Sequence, residues 1–168
     1  MRRSGHKVGA SDAMISFQEG SHHFQYRVAA IVMDAGQLLL HRVLGDPFWT
    51  LPGGRVNVGE SAQAALCREF EEELGTSIEC GHLACVGENF FRHHQASHHE
   101  IGLYFYAGLP ADASYNDKRM THKGVETNRQ LEFKWFEIQQ LHLVDMRPQV
   151  VRDGLATMTL PHHFVQYL

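Results

Sequence analysis

The sequence predicts an α/β fold: a mixed β-sheet sandwiched between helices in an α/β/α arrangement. Three observations carry that expectation. Residues 26–33 are apolar on both alternating faces, with Val28, Ala30 and Val32 on one and Ala29, Ile31 and Met33 on the other, as a strand covered on both sides should be. Residues 62–74 are helix formers set between a capping serine, Ser61, and a stop glycine, Gly75. Further strand-like runs interleave with this helix and with a second one starting at Arg147 or Pro148, where proline suits the first turn.

Along the chain, residues 1–20 read as a flexible, polar, glycine-containing segment, and 21–168 as a single domain. Asp34-Ala35-Gly36 is a turn signal between 26–33 and a second strand at 37–43, which predicts a hairpin. Asp46-Pro47 marks a loop, and 48–51 a short strand ahead of Pro52-Gly53-Gly54. Within the helix, Leu66, Phe70, Leu74 and Cys67 form an apolar stripe, while Glu69, Glu72 and Glu73 form a separate acidic face. Strands are expected near 77–91, 101–107 and 131–136, the last with Leu131, Phe133 and Trp135 alternating into the core. Residues 109–130 are polar with few apolar anchors, so they form either a functional loop or a disordered one. There are no internal repeats.

At 168 residues the chain suffices for one domain with a substantial core. A net charge of -4 lacks the basic footprint of a nucleic-acid-polymer binder. No apolar run approaches membrane-spanning length, and the first ten residues lack the apolar core of a secretory signal. Cys67, Cys80 and Cys85 are odd in number and form no CxxC pair, which suggests reduced thiols rather than disulfides or zinc. A cytoplasmic protein is expected.

The chemistry is concentrated in GRVNVGESAQAALCREFEEELGT, residues 54–76. Glutamates at i, i+3 and i+4 are neighbours on a helix and repel, so their concentration points to a cation. Hard ions such as Mg²⁺ favour carboxylate oxygens and share their shell with water and substrate phosphates.

Written as G-x5-E-x7-R-E-F-x-E-E-x-G, the region places Gly54, Glu60, Arg68, Glu69, Phe70, Glu72, Glu73 and Gly75 at fixed intervals. It resembles the Nudix box, the signature of the Nudix hydrolase superfamily, departing only at Thr76, where an aliphatic residue is usual. The seven fixed polar and glycine identities, Phe70 aside, would coincide by chance on the order of once in 10⁸ starting positions. The lead-in runs 26–29, 38–42 and 48–54 also look like those of the family, and the resemblance covers about residues 26–135.

The resemblance implies the Nudix fold and water attack at phosphorus in a small nucleoside diphosphate derivative: a nucleotide, a sugar nucleotide or a dinucleoside polyphosphate. It implies Mg²⁺, with Mn²⁺ as a substitute, held by Glu69, Glu72 and Glu73, with Glu60 in support and Gly54 offering backbone atoms. Glu69 or Glu72 could double as general base, and Arg68 is implied to brace the glycine loop against Glu60 rather than only to pair with Glu72. A homodimer is usual for the family.

Outside the box, Glu100 opens a strand where the family often supplies a further acidic ligand or base; an exposed strand-end glutamate is the alternative. Arg42, Arg55 and Arg92 could contact phosphate or serve as structural cations, and Gly53 shares the loop that would position a diphosphate. His93, His94, His98 and His99 crowd one loop and could bind a softer metal, touch phosphate or simply be surface. Trp49, Phe90 and Phe91 could stack on a base or pack in the core. Two other functions remain open: a non-catalytic nucleotide-sensing module, whose mark would be a broken box, and an isoprenoid diphosphate isomerase, for which no dedicated cysteine–glutamate pair is evident.

Overall fold

The computed structural model describes residues 13–93 and 95–168. Their strands are β1 (Ser16–Glu19), β2 (His22–Asp34), β3 (Gln37–Val43), β4 (Trp49–Thr50), β5 (Gly53–Arg55), β6 (Glu79–His93), β7 (Ala96–Gly108), β8 (His122–Lys123), β9 (Leu131–Glu137), β10 (Met146–Arg147) and β11 (His163–Tyr167). The helices are α1 (Ala62–Leu74) and α2 (Gln149–Ala156), with 3-10 turns at Ser114–Asn116 and Ile138–Leu143.

The strands run in the order β10-β4-β3-β2-β7-β6-β11, and β1 and β5 also pair with β2 while β9 and β8 extend from β3. The sheet is mixed: β2 lies parallel to β7, β6 and β7 form a long antiparallel hairpin, and β11 adds parallel to β6. The strand that the sequence marks as apolar on both faces is therefore the hub.

Its pleat explains the layers. Val28, Ala30 and Val32 pack with Leu66, Phe70 and Leu74 of α1 and with Phe133 and Trp135 of β9. Ile31, one residue out of phase, joins Leu38, Leu40, Leu141 and, from α2, Val151 and Leu155 on the other face. Successive side chains on a strand point to opposite faces, so one strand seeds both cores and the sheet is covered on each side, as expected. Among the described residues no helix is long and apolar enough to cross a membrane.

Several boundaries shift. β1 pairs with β2 from Ser16↔Gln25 to Glu19↔His22, so ordered structure begins before the boundary expected at residue 21; residues 1–12 lie outside the described residues. The helix expected from Arg147 or Pro148 begins at Gln149, with Pro148 extended at its cap. β11 is absent from the sequence reading altogether. Residues 109–130 are organised rather than structureless. Tyr115 is buried there, its carbonyl accepts from Trp135 Nε1 at 2.7 Å, and Asn116 Nδ2 donates to the carbonyls of Pro110 and Ala111. One aromatic anchor in a polar stretch organises the segment.

Truncating that anchor should free the segment. Tyr115→Ala is expected to cost about 3 kcal/mol, as for other buried aromatic truncations. Urea unfolding, with limited proteolysis mapped to 109–130, checks this; an unchanged midpoint and cleavage pattern would contradict it.

Candidate functional site

Ser61 Oγ accepts from the Ala64 amide at 3.2 Å and starts α1, while Gly75, in the left-handed region at φ 62°, ends it as read from sequence. Ala65, Leu66, Phe70 and Leu74 are buried, but Cys67, at the edge of the stripe, is only half-buried. The acidic face is also divided. Glu73 is 3% exposed and its Oε2 lies 3.5 Å from Nδ1 of the equally buried His41, whereas the Glu72 side chain is 54% exposed. Adjacent residues on a helix differ by about 100° around its axis, enough for Glu73 to turn under against β3 while Glu72 stays in solvent.

Arg68 organises the rest. Its Nε and Nη2 donate to the two oxygens of Glu60 at 2.9 and 3.1 Å, and Nη2 also reaches the Arg55 carbonyl at 2.9 Å. Its Nη1 donates to Glu69 Oε1 at 2.8 Å and Glu72 Oε2 at 3.0 Å. Glu60 in turn accepts from the Asn57 amide, and the Arg68 guanidinium holds its carboxyl below the ordinary range. Burial, reinforced by the like charges of Glu73 and Glu72, pushes the Glu69 carboxyl upward against the pull of Arg68.

The glycine loop is fixed by β5, whose Gly53 and Gly54 pair with Ala29 and Val28. Gly53 has φ +152°, and a Cβ there would overlap the Val28 carbonyl; a Cβ on Gly54 would overlap the Glu69 carboxylate. Only glycine allows both approaches.

Gly54, Arg55, Arg68, Glu69, Glu72 and Glu73 border a cleft of about 980 Å³, whose sheet wall carries Gln25, Arg27, Asn89 and Glu100. Arg27 Nη2 donates to the Gly53 carbonyl at 3.3 Å, and its Nε lies 3.9 Å from Glu100, so it links that carboxylate to the glycine loop. The Arg55 guanidinium is lowered by burial and by the neighbouring charges of Arg27 and Arg129, with Glu69 opposing. Three arginines thus crowd one another on the cleft wall.

Of the arginines singled out from sequence, Arg55 belongs to that group. Arg42 lines the cleft but pairs with Glu132 at 2.8 Å and lies 4.5 Å over the Trp49 ring. Arg92 lines both this cleft and a second cavity of about 490 Å³. Glu100 is buried rather than exposed, accepting from Gln25 Nε2 at 2.6 Å and Asn89 Nδ2 at 3.1 Å. The histidines do not act as one group: His98 stacks between His23 and Phe91 on the cleft side, while His99 packs against Phe90 and Phe24. His94 lies outside the described residues. Trp49 and Trp135 are core.

The sequence reading missed Arg27, Arg129, His41 and Asn89. Arg27 had a signal, as a lone charge inside a strand apolar on both sides; the others had none.

A hard divalent cation suits this donor set. Carboxylates are crowded in partial burial, one of them is held above its ordinary range, and glycines leave backbone open beside it. Among the described residues, however, no three His, Cys, Asp or Glu side chains are gathered around one point. Arg68 holds Glu69 and Glu72, and His41 faces Glu73, so binding would require these side chains to turn.

A carboxylate-bearing helix packed on a glycine loop, under a two-sided mixed sheet, defines the class. The NUDIX domain family model matches residues 23–156, and the chain belongs to the NUDIX family. It is 47% identical over 45 residues to a putative 8-oxo-dGTP diphosphatase of Bacillus subtilis (27% of this chain, 30% of that protein). It is 31% identical over 101 residues to the putative ADP-ribose pyrophosphatase YjhB of the same organism (60% and 46%). These matched stretches span less than half of either relative. Among solved structures, a NUDIX hydrolase from Nitrosomonas europaea aligns with a TM-score of 0.58 at 21% identity, covering 86% of this chain and 79% of that one. A MutT NUDIX hydrolase from Burkholderia pseudomallei aligns at 0.54 and 28% identity (69% and 84%).

Removing the guanidinium should loosen loop and helix together. Arg68→Ala is expected to cost about 2–3 kcal/mol in denaturant unfolding, since hydrogen bonds to charged groups are worth about 1.5–3 kcal/mol. Arg68→Lys should restore less than half, because an ammonium lacks the planar fork. Full recovery by lysine would show that charge alone suffices.

Proposed function

We propose that this chain hydrolyses a diphosphate linkage in a small nucleoside diphosphate derivative, by water attack at phosphorus. The observation that carries the reading is the meeting of Glu69, Glu72 and Glu73 with the Gly53-Gly54 loop on a cleft that also holds Arg27, Arg55 and Arg129. The relatives' names, a diphosphatase and a pyrophosphatase, support the reaction type. Nucleotides, sugar nucleotides and dinucleoside polyphosphates all fit it.

A divalent cation, Mg²⁺ or Mn²⁺ in its place, would be held by Glu69, Glu72 and Glu73, with the Gly54 backbone alongside. When bound, such an ion neutralises diphosphate oxygens and lowers the pKa of water. The chain's own groups do the rest. Arg55, Arg27 and Arg129 draw the phosphates inward, and Glu60 keeps Arg68 oriented so that the helix and glycine loop stay in register. Glu69 or Glu72 takes the proton of the attacking water, while Glu100, both oxygens engaged by Gln25 and Asn89, stays on the sheet side of the cleft.

The isomerase reading finds no support in the cleft. None of its described lining residues is a cysteine, and the Cys85 thiol is buried and pushed up to about 12. The sensing-module reading is left with an intact box against it.

A phosphate-release screen over nucleoside diphosphate derivatives, with and without Mg²⁺, tests the proposal. Glu72→Gln and Glu73→Gln are each expected to lower kcat on the order of 10²-fold or more, the scale of a lost acid–base or electrostatic group. Full activity in both variants would sink the carboxylate assignment; tight binding of a diphosphate that is never cleaved would favour the sensing module.

A further inference from the structure

The register of four strands gathers polar side chains into one rung across the cleft floor. Gln25 of β2 lies opposite Glu100 of β7, Glu100 opposite Asn89 of β6, and Asn89 opposite Gln166 of β11. All four border the cleft, and Glu100, Asn89 and Gln166 are buried.

The rung has used up its central donors. Gln25 Nε2 donates to Glu100 Oε2, and Asn89 Nδ2 donates to Glu100 Oε1 at 3.1 Å and to the Tyr104 hydroxyl at 3.2 Å. A carboxylate only accepts, which fixes the Asn89 amide with its nitrogen toward Glu100. Gln166 Oε1 is engaged by the Val150 amide. Asn89 Oδ1, on a residue 3% exposed, is left buried with no hydrogen-bond partner. Buried polar atoms in native proteins are nearly always paired, so each exception asks for a missing partner.

The surroundings limit what that partner can be. A phosphate does not suit Asn89 Oδ1, because an unpaired carbonyl oxygen beside the Glu100 carboxylate needs a donor and would repel an anion. The adjacent rung is aromatic: His98 and Phe91 border the cleft and lie opposite one another with rings 4.9 Å apart and nearly parallel, and His23 stacks on His98 from the side of the second cavity. A flat, largely apolar group that carries N–H donors on its edge suits such a floor, and the arginines along the glycine loop would hold the phosphates.

Building on the diphosphate-hydrolase reading above, we propose that the Gln25–Glu100–Asn89–Gln166 rung is the base-recognition site. Asn89 Oδ1 accepts from the exocyclic amino group of the nucleobase and so selects amino-bearing bases. In this role Asn89 is a specificity residue that touches the ligand, and Glu100 and Tyr104 hold its amide plane in place.

The test uses methylene-bridged, non-hydrolysable nucleoside diphosphates and isothermal titration calorimetry on the full chain. Each parent base is paired with its amine-deleted analogue: adenine with purine, guanine with hypoxanthine, cytosine with pyrimidin-2-one. In whichever series binds, deleting the amine is expected to weaken binding at least tenfold, since sites built around a hydrogen bond reject analogues that lack it. In Asn89→Leu the parent and its analogue should come within about threefold of each other. Analogues that match their parents within twofold in the unmodified protein would overturn base recognition here and leave the hydrolase reading standing. No binding by any parent would overturn both. The comparison in the unmodified protein decides the matter even if Asn89→Leu fails to fold.

Discussion

The site depends on one guanidinium. Arg68 donates to both oxygens of Glu60, to Glu69, to Glu72 and to the Arg55 carbonyl, using its Nε and both terminal nitrogens. Without it, three glutamates in the last turns of α1 and Glu60 in the loop before the helix would crowd together with little to offset their mutual repulsion. A planar fork of donors is the one side chain able to reach so many oxygens from a single position. Because one of those oxygens is the carbonyl of Arg55, at the end of β5, the same contact fixes the loop to the helix. Glycine at 54 then lets the Glu69 carboxylate lie against the loop backbone.

This arrangement makes the acidic helix asymmetric. Glu72 faces solvent, Glu69 is partly buried beside Gly54, and Glu73 turns under the sheet to meet His41. From sequence the three looked equivalent, as one face at helical spacing. What separates them is the neighbour each meets, and those neighbours come from β3 and β5, distant in sequence. A cation entering here would contend with Arg68 for two of the carboxylates and with His41 for the third. The helix is therefore better described as a set of carboxylates restrained by Arg68 and faced by His41 than as a site already shaped around an ion.

What was legible in the sequence follows from how local each signal is. The limits of α1 are written in Ser61 and Gly75, and the β2–β3 hairpin in Asp34-Ala35-Gly36, because caps and turns are set by a few adjacent residues. The two-sided burial of β2 was legible from alternation alone. β11 was not, since a five-residue strand with exposed, buried, exposed alternation becomes visible only when β6 is there to pair with it. His41 and Arg129 carried no local mark either; their place on the cleft is decided by strand order and by the path of residues 109–130. Tyr115 shows the same limit in reverse, as one ring whose burial turns a polar stretch into an ordered one.

The cleft itself is a consequence of the pleat of β2. Burying Val28, Ala30 and Val32 against α1 obliges the alternate residues to face the other way, and beyond the apolar core those residues are Gln25 and Arg27. Arg27 reaches the Gly53 carbonyl on one side and Glu100 on the other. The distance from glycine loop to polar rung is thus set by a single strand rather than by loop conformation. A slip of one residue in the β2–β7 register would exchange the two faces, turning Gln25 and Arg27 beneath α1 and away from the cleft they now line. The hydrophobic pattern that holds the fold together therefore also holds Arg27 and Gln25 in the cleft, and core and site cannot vary independently along this strand.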